Sequence, residues 1–123
     1  EVFLTLWQDA TEPGERKALW RLFARALKQA RRYMRQFWFV RPRFLLWEAI
    51  AQVGNHRRDL SLQKTRAALH AAEELLLPLE TGLSHQLLSE LEVGTAAAEH
   101  ARHAAAIFHR LGATWRASER LLR

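Results

Sequence analysis

Cysteine is missing from the chain, and its absence removes disulfides, thiolate metal sites and thiol nucleophiles together while leaving the compartment open. No apolar run approaches the roughly 18 residues that a bilayer crossing needs, and no signal-peptide pattern opens the sequence. A cytoplasmic protein with no membrane partner is the expectation. Phosphate-cradling Gly-rich loops, G-x-S-x-G elbows and His-Glu-x-x-His motifs do not occur either. A carboxylate-bridged metal bundle would want Glu-x-x-His pairs, yet the residues three before the six histidines are Val53, Ala67, Gly82, Ala97, His100 and Ala106. His100 and His103 share a helix face beside Glu99, but a third ligand is undefined. The chain is therefore not read as an enzyme: no catalytic residue, metal ligand or cofactor is expected.

What is present is enough apolar material for one domain with a real core: 123 residues, 49% hydrophobic, with five tryptophans. Glu1 stands where a Met would start a gene product, and Val2 to Trp7 already reads as helix. A fragment of a larger protein is expected on that ground.

Apolar residues recur at three- and four-residue steps along most of the chain, the mark of helices with one buried face. Phe3, Leu6 and Trp7 line a short first helix, broken at Pro13-Gly14. Leu19, Leu22, Phe23, Ala26, Tyr33 and Phe37 line a long second one. Pro42 disfavours helix at Arg41 and suits the first turn of a third helix, which carries Leu45, Leu46, Ala49 and Ile50 to a stop at Gly54-Asn55. A fourth helix runs from about Asp59 to Leu75 and closes at Leu77-Pro78. A fifth spans 79–91 despite Gly82, whose retention suggests close approach of a neighbour. Gly94 turns the chain into an alanine-rich sixth helix that stops at Leu111-Gly112, and residues 113–122 read as a seventh with Trp115, Leu121 and Leu122.

Gly54 and Gly94 lie 40 residues apart, a period that fits a two-helix repeat. The run from Leu77 through Gly82 to His85, followed by the run from Glu99 through Phe108 to Ala113, resembles the tetratricopeptide-type repeats that follow the ATPase module in large bacterial signalling proteins. LuxR-type transcriptional activators, cyclase-linked regulators and kinase-linked ATPases are among these. Arg41-Pro42, Gly54 and Ala68 to Ala72 fit a preceding repeat. The resemblance implies an all-α, antiparallel helix-hairpin repeat array of about seven helices, a TPR-like α-solenoid in a single domain over 1–123, with hairpins at about 42–77 and 79–112. It assigns repeat packing to Gly54, Ala68, Gly82, Leu83, Gly94, Ala101, Ala105, Phe108 and Gly112. It implies a protein–protein interaction or ligand-sensing scaffold whose partner is a protein, a peptide or another domain of the same polypeptide.

Charge adds a second reading. Residues 1–66 hold 14 Lys and Arg against 6 Asp and Glu, whereas residues 67–123 hold 5 against 7. Arg31, Arg35, Arg41 and Arg43, with Arg57 and Arg58 across the next turn, could meet phosphates, so a helical nucleic-acid-binding module is the runner-up. A solvated rim or a surface for an acidic partner is the blander use of the same residues. Phe37, Trp38, Phe39 and Trp47 form the densest aromatic stretch, and aromatics serve both interfaces and cores. The residues expected to touch a partner are Arg31, Arg35, Trp38, Arg41, Arg43 and Trp47.

Overall fold

The computed structural model describes residues 2–122, with the side chains of Val2, Phe3 and Ser118 outside that description. The expected place of Phe3 on the first helix's apolar face therefore lies outside the described residues. Six α-helices are found among them: α1 (Val2–Asp9), α2 (Pro13–Gln36), α3 (Arg41–Gly54), α4 (Arg58–Glu74), α5 (Pro78–Leu91) and α6 (Gly94–Arg110). Short 3₁₀ turns occupy Trp38–Val40 and Thr114–Ser118. The class is all-α, a tightly packed bundle.

The sequence's punctuation explains most boundaries. Pro13, Pro42 and Pro78 each stand in the first turn of a helix, where a missing N–H leaves no bond unmade. The ends of α3, α4 and α6 close alike. Arg57, Leu77 and Ala113 donate their backbone N–H to the carbonyls of Gln52, Ala72 and Phe108 respectively, while the preceding residue donates to the next carbonyl along, that of Val53, Glu73 or His109. This closure requires a left-handed residue, and the three that supply it are His56 (φ 60°), Leu76 (φ 53°) and Gly112 (φ 70°). α3 thus ends at Gly54 with Asn55 as its cap, where the stop was expected, but the left-handed residue is His56 rather than either of these.

Gly54 is small for a different reason. A Cβ built on it would lie 1.7 Å from the Trp7 ring, so the missing side chain lets α1 lie against the end of α3. In α1, Leu4 and Trp7 are the buried residues and Leu6 faces solvent, a one-step rotation from the expected face. Trp7 then meets Trp20 at 5.1 Å between ring centroids, and Trp20 meets Phe23 at 5.7 Å, which fixes the first two helices to each other. The Arg16 guanidinium lies over the Trp7 ring at 4.9 Å.

The densest packing joins α3 to α4, α4 to α5 and α5 to α6. Connections of two or three residues leave each neighbour no course but antiparallel. Small polar residues let the backbones close in: Ser61, fully buried on α4, donates to the Ala49 carbonyl at 2.7 Å, and Thr65 donates to the Ser61 carbonyl at 2.8 Å. Gly82 does the same between α5 and α6, because a Cβ there would come within 2.7 Å of the Phe108 ring. Ala68, Leu83 and Phe108 are buried, whereas Gly94 and Gly112 are exposed and act only through positive φ.

Two packing expectations are corrected. Ala101 and Ala105 face solvent, and Ala104 is the buried alanine that accompanies Phe108. The face of α6 that meets α5 includes His100, Ala104, Ile107 and Phe108, one residue round from the expected stripe. No seventh α-helix follows either. After the turn at Thr114–Ser118 the chain runs extended at Glu119 (φ −89°, ψ 140°), because side chains of α5 bind its backbone groups in place of helical partners.

Candidate interaction surfaces

Where α2 gives way to α3, Phe37 leaves helical geometry (φ −123°, ψ 73°) and the 3₁₀ turn begins. Successive side chains splay apart there instead of sharing one stripe. Tyr33 stacks on Phe37 at 4.4 Å between centroids, Phe37 meets Phe39 edge-on at 6.0 Å, and Trp38 meets Phe39 edge-on at 6.4 Å. All four rings are exposed, Trp38 to 64%. Beneath them lies an apolar cavity of about 370 Å³, lined among others by Phe39, Phe44, Trp47 and Leu77. Arg43 borders it and reaches across to Glu80 on α5, Nη2 to Oε1 at 3.0 Å.

The residues expected to touch a partner divide into two groups. Trp38, Arg35 and Arg41 are exposed at this end of α2 and the start of α3. Trp47 is half-buried under the cavity and packs against the core. Arg31 and Arg43 are engaged within the protein: Arg31 binds Glu48 at 3.2 Å, and Arg43 binds Glu80. Glu48 is itself buried and takes a second cation, Lys64 of α4, at 2.8 Å. Arg58, the last of the basic stripe, donates to the Leu91 carbonyl.

A second surface was not expected. The segment 114–122 lies across α5, and three side chains fasten it by its main chain. Gln86 Nε2 donates to the carbonyls of Arg116, at 3.1 Å, and Glu119. The Glu90 carboxylate accepts the N–H of Leu121 at 2.8 Å and of Leu122 at 3.1 Å. Gln8 Nε2 of α1 donates to the Leu121 carbonyl at 3.3 Å. Arg120 Nε stands 3.8 Å from the same Glu90 carboxylate. Burial pushes the Glu90 carboxyl above its ordinary value, against the opposing pull of those two N–H bonds and of Arg120. The signal available in the sequence was Gln86 and Glu90, one helical turn apart on α5.

The histidines of α5 and α6 meet at a third place. His85 Nδ1 lies 2.8 Å from His100 Nδ1, and His103 sets its ring edge-on to His85 at 4.9 Å. Desolvation, then the charges of His100 and His103, bring the His85 pKa down to about 4. His100 Nε2 also faces Glu92 at 3.6 Å, and Glu92 is held by Arg66. The two rings face each other through Nδ1, but among the described residues no group of three His, Cys, Asp or Glu is placed to hold a metal ion.

No helix among the described residues is long and apolar enough to cross a membrane. In comparisons with known proteins the chain matches no family model, no curated protein and no solved structure.

Proposed function

We propose that the chain is a protein–protein interaction or ligand-sensing scaffold of the kind that serves bacterial signalling and transcriptional regulators, with its two hairpins acting as TPR-like repeats of an α-solenoid. Support for the repeat comes from helix lengths: α3 and α4 have 14 and 17 residues, and so do α5 and α6. The last helix of each hairpin also closes with the same left-handed turn. The observation that carries the interaction reading is a connected chain of four exposed aromatic rings, two of which, Tyr33 and Phe39, border an apolar cavity. Such rings bury large area on contact at little entropic cost. Their basic surroundings, Arg35 and Arg41, suit a protein segment with an apolar anchor flanked by carboxylates.

The test is parallel affinity capture with the wild-type chain, Trp38→Ala and Phe39→Ala, each checked by thermal melting. A protein held by the wild type should be lost by both variants, whose melting temperatures stay within about 2 °C, since exposed side chains contribute little to stability. Equal capture by all three would sink the aromatic site. Salt-dependent retardation of DNA or RNA would instead favour the basic runner-up.

A further inference from the structure

We infer that the groove between α1, α3 and α5 is a receptor for a peptide carrying Arg-Leu-Leu, and that residues 114–122 of the same chain occupy it in cis. The inference concerns a different surface from the aromatic cluster and stands or falls apart from it.

Three observations carry it. First, the contacts between groove and segment are directed at main-chain groups: carbonyls at 116, 119 and 121 meet Gln86 and Gln8, and consecutive N–H groups at 121 and 122 meet Glu90. Side chains that bind peptide main chain hold a ligand through groups that every sequence offers. Second, the clamping groups are buried on the receptor side, Gln86 to 5% residual exposure and the Glu90 side chain to 9%. Polar groups taken this far from water require partners, and the segment supplies them. Third, the fit is incomplete. A cavity of about 120 Å³ persists between the segment and a floor that includes Leu46, Trp47, Ile50 and Leu83. Gln86 Oε1, on the very amide that binds the segment, is buried without a hydrogen-bond partner. A ligand with a bulkier apolar side chain and one more N–H would satisfy both.

Specificity follows from the same contacts. Leu121 and Leu122 pack against the core, and the guanidinium before them approaches Glu90. The occupant is thus a basic residue followed by two leucines. A segment held in its own groove competes with an incoming one, so affinity for the latter falls in proportion to the time the groove stands open.

A fluorescein-labelled peptide, Thr-Trp-Arg-Ala-Ser-Glu-Arg-Leu-Leu, provides the probe, read by anisotropy against the 123-residue chain. Leu121→Asp with Leu122→Asp releases the segment and leaves the groove untouched; Leu122→Ala is the milder variant should the pair fail to fold by circular dichroism. The released chain should bind the peptide at least about tenfold more tightly than wild type, as a groove open no more than about a tenth of the time requires. Adding Gln86→Ala or Glu90→Ala to the released chain should reverse that gain. A folded, released chain that binds no better than wild type overturns the inference, and so does undiminished binding after loss of Gln86 and Glu90.

Discussion

Helix α2 is 24 residues long and buries one of them, Phe23; α5 has 14 residues and buries seven. Sequence periodicity alone ranks them the other way, because α2 carries the cleaner apolar stripe. The difference lies in neighbours. α5 is enclosed by α4, α6, part of α3 and the segment 114–122, so even Gln86 and Ser84 are inside. α2 touches α1 along one stretch and α3 at a few points, and Leu22, Tyr33 and Phe37 on its stripe remain exposed. An amphipathic pattern states which face will be covered first, not how much cover there will be.

The largest expected effect separates the two regions directly. Phe108→Ala removes the ring that fills the notch at Gly82 and should cost about 3–5 kcal/mol of global stability, read from urea denaturation. Phe23→Ala should release α2 alone: its amides should exchange quickly while those of α5 keep their protection. Equal loss of protection in both helices would show that they unfold as one unit and would end the contrast.

Next in size is Gly54→Ala. A methyl group there overlaps the Trp7 ring, so α1 must shift, with a cost of about 1–3 kcal/mol in denaturant midpoint. A neutral result would mean that α1 is not seated against α3 at all. Leu76→Gly should act oppositely. Leu76 is 85% exposed and holds a left-handed backbone, so glycine should raise stability by about 1 kcal/mol without removing a contact. Lower stability would show that the leucine is covered in solution.

The smallest effect is that of pH. With the His85 pKa depressed from 6.5 to about 4, the folded state favours the neutral ring. Its contribution is fully present above pH 6.5 and is lost as pH falls from 6.5 towards 4, because the unfolded chain takes up the proton first. Melting curves of wild type should fall over that window, and those of His85→Gln should be flatter there. Parallel curves would remove His85 from the account.

Much of the fold was legible because local chemistry wrote it. Pro42 and Pro78 placed helix starts, Gly112 placed a stop, and the glycine at 82 announced a close approach that the Phe108 ring makes. What could not be read was set by distant partners. Residues 114–122 have helical spacing, yet Gln86 and Glu90, some 30 positions earlier, take their backbone groups into another geometry. Ala101 and Ala105 look like packing residues, but the covered positions of α6 are Ala104 and Phe108. Among the candidate partner contacts, the exposed Trp38 was readable from aromatic density. The engagement of Arg31 and Arg43 was not, since Glu48 and Glu80 lie too far along the chain for spacing to pair them.

The carboxylate of Glu48 has one consequence for how the protein assembles. It sits on α3 but draws a cation from α4 and another from α2. Both cations lie at similar chain distances from it, but α4 packs along the length of α3 whereas α2 touches it at a few points, so the α3–α4 meeting is the one that holds first. Helix α2 must find a platform that the earlier meeting has already built. Assembly is expected to run outward from the middle of the chain, with the longest helix arriving late, and slow refolding phases should therefore report on α2.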